Sequence, residues 1–283
     1  MSTPPYLDLP AGARRLDLPV ARGSRAAIAL EPDGAVRGTA VLIPGFTGSK
    51  EDFISLLEPL ALRGWRAVAY DQLGQLDSPG PDDDAAYALH RLGEDTRDIA
   101  DTIGPSPVHV VGHSLGGLVA RSAVIDAGAR RLASVTLLCS GPAALPPERH
   151  GAIPALVAVL PDMDLSDIWR AKEAMDRDAG WEPPSPEVYE FLRHRFCSVS
   201  PRGLRAMGDM LLHEPDRTAE LAQAGLPVHV VHGENDDAWP LDEQDRMARA
   251  LGTTPQVIPG AGHSPAVDDP EALADVLDGL WRA

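Results

Sequence analysis

The chain has 283 residues, 44% of them hydrophobic, and a formal net charge of −17. That is enough apolar material for one large α/β domain with an insertion or for two small domains, and a field of that sign repels nucleic acid and anionic membrane surfaces, so neither is expected as a partner. The two cysteines, Cys139 and Cys197, are too few for a disulfide framework and have no metal-ligand spacing such as C-x-x-C, so both read as reduced, packed thiols.

In chain order, the start from Met1 to Tyr6 lacks the basic segment and apolar stretch of a secretory signal, and a cytoplasmic location is expected. The longest apolar run, residues 153–160, is interrupted by Pro154 and falls far short of the roughly 20 residues that a membrane-spanning helix needs. Residues 16–20 and 26–30, bounded by Gly23 and by Pro32-Asp33-Gly34, predict an entry hairpin. The nearly continuous apolar run over 38–43 suits a parallel strand buried on both faces, and it stops at Pro44-Gly45. A helix follows over 50–62, with Phe53, Leu56, Leu57 and Leu60 on its apolar side, then a strand over 67–70. A long helix is predicted over 85–103, ended by Gly104-Pro105, then a strand over 108–111, a helix over 118–126 and a strand over 135–139.

Regular alternation stops after Ser140-Gly141-Pro142. Residues 142–216 are Pro-rich at both ends and hold four of the six methionines with Trp169, Trp181, Tyr189, Phe191 and Phe196. This reads as a helical insertion over the C-terminal edge of the sheet, where ligands bind in open α/β folds. Alternation resumes with strands over 228–231 and 256–258 and helices over 241–251 and 270–281. The expected fold is α/β with a mostly parallel central sheet, the core formed by residues 1–141 and 217–283 and the helical cap by 142–216.

One stretch carries chemistry. Gly112-His113-Ser114-Leu115-Gly116 is a G-x-S-x-G set between a predicted strand and a predicted helix, the context in which a serine is held in a strained turn with its hydroxyl exposed at the top of a sheet. Ser114 is therefore the candidate nucleophile. A serine hydroxyl needs a base within hydrogen-bond reach and a group that orients the base. His263, in Gly260-Ala261-Gly262-His263-Ser264-Pro265, follows the last predicted strand, and Asp236, in Gly233-Glu234-Asn235-Asp236, follows the one before it. Both leave a parallel sheet on the same edge as Ser114, in the order Ser, Asp, His. Asp237 is the competing acid and reads as solvated.

On these residues the chain resembles the α/β-hydrolase superfamily, in particular its small capped serine hydrolases, over nearly its whole length outside the insertion. The resemblance implies an acid-strand motif G-x-x-D-x-x-x-P, matched by Gly233 to Pro240 with Asp236 as the acid. It also implies an oxyanion hole built from the backbone amides of Leu115 and Phe46. Two departures stand out: Pro44-Gly45 replaces the usual His-Gly, and the loop from Asp71 to Ser78, containing Gln72 and Gln75, stands where the family often has Arg and a second Gly. Asp71 reads as structural. The family's other acid location, after the strand ending at Cys139, holds no carboxylate.

His109 and His229 lie within predicted strands and read as core or sheet-flank residues. His113 and His232 are expected to support the site through hydrogen bonds, and His90 to ride on a surface helix. His113, Trp169, Phe191 and Trp239 are the candidate substrate-contacting residues, although Met and aromatic side chains of the insertion also serve simply as its own core. Arg193, Arg195, Arg202 and Arg205 sit in an acid-free stretch that either forms a solvated helix face or holds a substrate carboxylate. There is no metal spacing such as H-E-x-x-H, no G-x-x-x-x-G-K-[ST] and no dinucleotide fingerprint, so no metal and no cofactor are expected. The expected activity is hydrolysis of a small-to-medium carboxylic ester through an acyl-enzyme, with a small molecule as substrate. A C–C bond hydrolase or cofactor-free perhydrolase using the same three residues, and a non-catalytic ligand receptor on the same scaffold, stay open.

Overall fold

The computed structural model describes residues 2–104 and 106–282; Met1 and Pro105, the expected helix stop, lie outside them. In chain order the strands are β1 (Arg14–Val20), β2 (Gly23–Leu30), β3 (Gly38–Ile43), β4 (Trp65–Tyr70), β5 (Val108–His113), β6 (Leu132–Leu138), β7 (Val228–Gly233) and β8 (Gln256–Ile258). They form one sheet in the order β1-β2-β4-β3-β5-β6-β7-β8. Only the β1/β2 and β2/β4 pairings are antiparallel; β4 to β8 run parallel. In β3, Val41 and Ile43 enter one buried cluster while Ala40 and Leu42 enter the other, which is why this strand reads as an unbroken apolar run.

The helices are α1 (Ile54–Leu62), α2 (Leu89–Thr102), α3 (Leu115–Ile125), α4 (Ile153–Val159), α5 (Leu165–Asp178), α6 (Pro186–Ser198), α7 (Pro201–His213), α8 (Thr218–Ala222), α9 (Leu241–Ala250), α10 (Pro265–Asp268) and α11 (Pro270–Arg282). Leu92 and Ile99 of α2 and Leu118 and Val119 of α3 cover one face of the sheet; Leu56 and Leu60 of α1 and Leu273 and Leu277 of α11 cover the other. The C-terminal edge is thereby left for loops. The chain reverses its direction of winding between β3 and β5, the place where such sheets open a crevice.

Several boundaries differ from expectation: the strands expected over 67–70, 108–111, 135–139 and 228–231 run over 65–70, 108–113, 132–138 and 228–233, and the helix over 50–62 begins as a 3-10 turn, Lys50–Phe53. The single helix expected over 85–103 is a 3-10 turn, Asp84–Tyr87, followed by α2, because Ala88 is extended at φ −58° and ψ 142°. Tyr87 anchors that break: its hydroxyl donates to the Pro81 carbonyl at 2.9 Å and accepts from the Ser200 hydroxyl, at the start of α7, at 2.8 Å. The helix after Ser114 begins at Leu115, earlier than expected, and the one-turn α10 was not foreseen.

Helices α4 to α7 lie between β6 and β7 and hold a cluster of their own, including Leu160, Trp169, Leu192, Phe196 and Leu204. A buried ion pair ties this insertion to the core: Arg195 Nη1 of α6 reaches Asp52 Oδ1 at 2.6 Å. Among the described residues, no helix is long and apolar enough to cross a membrane.

His109 confirms the core reading and brings a pH dependence. Its ring lies 4.9 Å from that of Trp281, stacked, and 5.1 Å from that of Trp65, edge-on, with Nδ1 bonded to Ser134 Oγ at 2.8 Å. Burial, with help from nearby His229, pushes its pKa down to about 4 from 6.5. The folded protein thus keeps His109 neutral where the unfolded chain binds a proton. Stability is full above pH 6.5 and falls as the pH drops toward 4, by about 3 kcal/mol from this group. Urea unfolding across that window should show the loss, and His109→Gln should remove its share of the slope; an unchanged slope contradicts the assignment.

Candidate active site

Ser114 occupies the turn between β5 and α3 with φ 55° and ψ −121°, a backbone conformation that costs a non-glycine residue about 1–3 kcal/mol. Its neighbours hold it there. The Ser114 N–H donates to the Leu138 carbonyl at 2.9 Å, and the Ser114 carbonyl accepts from Gly117 N at 2.9 Å. A Cβ at Gly112 would collide with the Gly116 backbone, so the turn closes only with glycine. Gly45 approaches from the end of β3: a Cβ there would stand 3.0 Å from Ser114 Cβ and 3.4 Å from Ser114 Oγ.

β7 and β8 deliver the other two residues. His263 Nδ1 bonds to Asp236 Oδ1 at 2.7 Å. The Asp236 carboxylate also accepts from Ala238 N at 3.1 Å and from Gln244 Nε2 at 2.8 Å. Burial alone would raise its pKa, but the His263 ring and these N–H donors outweigh burial and hold it below the ordinary carboxylate value. Asp237, by contrast, turns its side chain to solvent. His113 Nε2 donates to the His263 carbonyl at 2.7 Å, and its buried ring, 5.0 Å from that of His263, has its pKa pushed down to about 3 by burial first and by His263 second. A neutral His113 thus braces the His263 backbone. Among the described residues no hydrogen bond joins Ser114 Oγ to the His263 ring, which is 27% exposed. Open geometry of this kind is common before substrate arrives.

The amides of Phe46 and Leu115 donate to no other described residue. Leu115 opens α3, where the first N–H groups of a helix have no internal partner. The loop that carries Phe46 is pinned by charge and by amides. Lys50 donates from its backbone N to Asp71 Oδ1 at 2.8 Å and from Nζ to Asp71 Oδ2 and Asp77 Oδ2, both at 2.7 Å. Burial opposes the ammonium, yet Asp71 and Glu51 outweigh it and keep the Lys50 pKa above its usual value. Asp71 is therefore a strut between two loops. Gln72 Nε2 donates to the Pro44 carbonyl at 2.8 Å and Gln75 Nε2 to the Gly45 carbonyl at 2.9 Å.

The expected substrate-contacting aromatic residues make contacts of their own. Trp169 is packed in the insertion beside Phe196 and Tyr189, with ring separations of 5.6 and 6.1 Å. Phe191 stacks under the Arg195 guanidinium at 5.4 Å, and Trp239 is wholly buried, donating to the Ala143 carbonyl at 3.1 Å. None of these contacts involves Ser114 or His263. His232 Nδ1 bonds at 3.0 Å to the Gly233 carbonyl, which also accepts from Asp236 N at 3.3 Å, and its Nε2 faces Asp245 at 3.5 Å. The arginine stretch is not one solvated face, because Arg195 is buried, whereas Arg193 pairs with Glu190, and Arg202 and Arg205 with Asp84. All four guanidiniums already hold carboxylates. Cys139, Asp236 and His263 have potential ligand atoms within 4.8 Å of one another, but the Asp236 carboxylate is already hydrogen-bonded to His263 Nδ1, Ala238 N and Gln244 Nε2.

Residues 40–276 match the model of the alpha/beta hydrolase family, and the chain belongs to that family. It is 29% identical over 258 residues to a protein of Variovorax paradoxus that carries the provisional name carbamate hydrolase RutD, covering 89% of this chain and 95% of that one. It is 28% identical over 219 residues to the pimeloyl-(acyl-carrier protein) methyl ester esterase of Nitrosomonas europaea, covering 74% of this chain and 84% of the relative. Among solved structures, a thermophilic esterase from Thermogutta terrifontis shares the fold with a TM-score of 0.71 at 22% identity, over 95% of this chain and 98% of that one. With homologues named hydrolases and esterases and this fold, the protein is a hydrolase-family enzyme.

Proposed function

We propose that this enzyme is a cytoplasmic serine hydrolase that cleaves a small-to-medium carboxylic ester through an acyl-enzyme, with residues 142–216 as a cap over the site. His263 Nε2 takes the proton of Ser114 Oγ, which attacks the ester carbonyl. The oxyanion accepts from the Leu115 and Phe46 amides, and the protonated imidazole gives its proton to the departing alcohol. Water repeats the sequence on the acyl group. Asp236 fixes the tautomer with the proton on Nδ1 and balances the imidazolium charge. The observation that carries this reading is the 2.7 Å contact of His263 Nδ1 with Asp236, on the same sheet edge as a strained serine flanked by two unused amides. The names of the two relatives support it, since a carbamate and a methyl ester both present a carbonyl bearing a leaving heteroatom.

The test is intact-protein mass spectrometry after treatment with a fluorophosphonate, together with burst kinetics on p-nitrophenyl esters of increasing chain length. One label per chain, absent from Ser114→Ala, and a burst of matching amplitude are expected. Full turnover by Ser114→Ala on an ester that the parent cleaves would sink the proposal.

A further inference from the structure

We infer that Gln75 is a positioning residue of the oxyanion site: its side-chain amide sets the orientation of the Gly45–Phe46 peptide and so of the Phe46 N–H. The inference rests on the serine-hydrolase reading and adds to it a residue outside the Ser-His-Asp set. The Gly45 carbonyl and the Phe46 N–H belong to one planar trans peptide, so they point in opposite directions and turn together. Whatever holds the carbonyl aims the N–H. Two donors meet that carbonyl: the Gly48 N–H at 3.1 Å, from within the same loop, and Gln75 Nε2 at 2.9 Å, the side-chain donor that reaches it from the neighbouring loop.

The side chain is itself locked. It is 1% exposed, and its Oε1 accepts from the Gln72 backbone N–H at 3.1 Å, which leaves Nε2 as the end that meets Gly45. A second buried glutamine, Gln72, holds the preceding carbonyl of Pro44 at 2.8 Å. Both glutamines act on the loop from outside it. Pro44 has no N–H and no side-chain donor, Gly45 has no side chain at all, and the Phe46 N–H has no partner of its own among the described residues. Gly45 also lies against Ser114, so rotation of this one peptide changes what faces the nucleophile. The donation also polarises the peptide, making Phe46 N–H a better donor. The two departures from the family pattern noted in the sequence, proline at 44 and the glutamine-bearing loop, thus form one device: donors on the second loop replace those that the first cannot supply.

The experiment compares the parent with Gln75→Met, which keeps the length and removes the donor. Losing one oxyanion donor outright costs about 10²–10³ in kcat; misaiming one should cost roughly 10- to 100-fold, with KM changed by less than about twofold. The affinity for a trifluoromethyl ketone matched to the best ester should fall by the same factor as kcat/KM, while inhibition by the product carboxylate stays put. A purely structural role would not separate those two affinities. Should Gln75→Met fail to fold, Gln75→Asn, which draws the donor back by one methylene, carries the same comparison; two unfolded variants would assign the residue to stability alone and overturn the proposal. It is also overturned if kcat and ketone affinity stay within about twofold of the parent. If the parent itself neither turns over esters nor takes the fluorophosphonate label, the serine-hydrolase reading fails first, and the two failures are told apart by that control.

Discussion

Asp236→Asn should lower kcat by about 10⁴ while leaving the folded structure in place. The aspartate offers two acceptor oxygens to three N–H groups, from His263, Ala238 and Gln244. An asparagine of the same shape offers one oxygen. Whichever way its amide turns, its NH₂ faces either the Gln244 amide or the His263 ring. In the second arrangement Nδ1 becomes an acceptor, the ring proton moves to Nε2, and the base that should face Ser114 is blocked. In the first, the tautomer survives but the negative charge that balances the imidazolium is gone. Stopped-flow and steady-state rates on the best ester read the loss, and circular dichroism confirms that the fold persists. A decrease below about tenfold would mean that Asp236 does not orient the base, and the exposed Asp237 would have to be tested in its place.

Arg195→Ala should cost about 3–5 kcal/mol of stability, the penalty for stranding a buried charge. Asp52 is buried just after the loop that carries Phe46, with Oδ1 2.6 Å from Arg195 Nη1 and Oδ2 accepting from Ser49 N at 3.3 Å. Removing the guanidinium leaves that carboxylate in the interior with no countercharge in contact. It also frees the Ser2 carbonyl, which accepts from Arg195 Nη2 at 2.7 Å, and uncovers the Phe191 ring. Pairing the change with Asp52→Leu, so that neither charge remains, should recover most of the loss, because a well-packed apolar pair replaces a buried ion pair at little or no net cost. Urea midpoints of the single and double variants at neutral pH make the comparison. Equal destabilisation in both would show that the ion pair contributes through packing alone.

Much of the sheet was legible because parallel strands covered on both faces must be apolar throughout; β3 has the bounds read from the sequence. What failed was where tertiary contacts override local pattern. The apolar spacing of Leu89, Leu92 and Ile99 runs back smoothly through Ala85 with no proline or glycine to mark a stop, yet Tyr87 reaching Ser200 breaks the helix there. The polar face of α6 looked solvated, since nothing within the helix announces that Asp52, far upstream, will meet Arg195. That Ser114, Asp236 and His263 follow three strand ends on one edge of the sheet was readable from the predicted strands and loop glycines. The glutamines that hold the Pro44 and Gly45 carbonyls were not, because a side-chain amide bonding to a distant carbonyl leaves no period or motif. Their only trace was negative, a loop that departed from the family pattern.

The glycine contacts around Ser114 bear on how this scaffold can be reshaped. Gly112 is closed by the Gly116 backbone and admits no other residue without moving main chain, and any side chain at Gly45 presses on Ser114. A randomised library spread evenly over the chain would therefore waste its diversity on the frame. Diversity confined to α5 and to α6 outside Arg195, whose buried side chains pack within the insertion, leaves that frame intact, and selection for new substrates should recover its winners there.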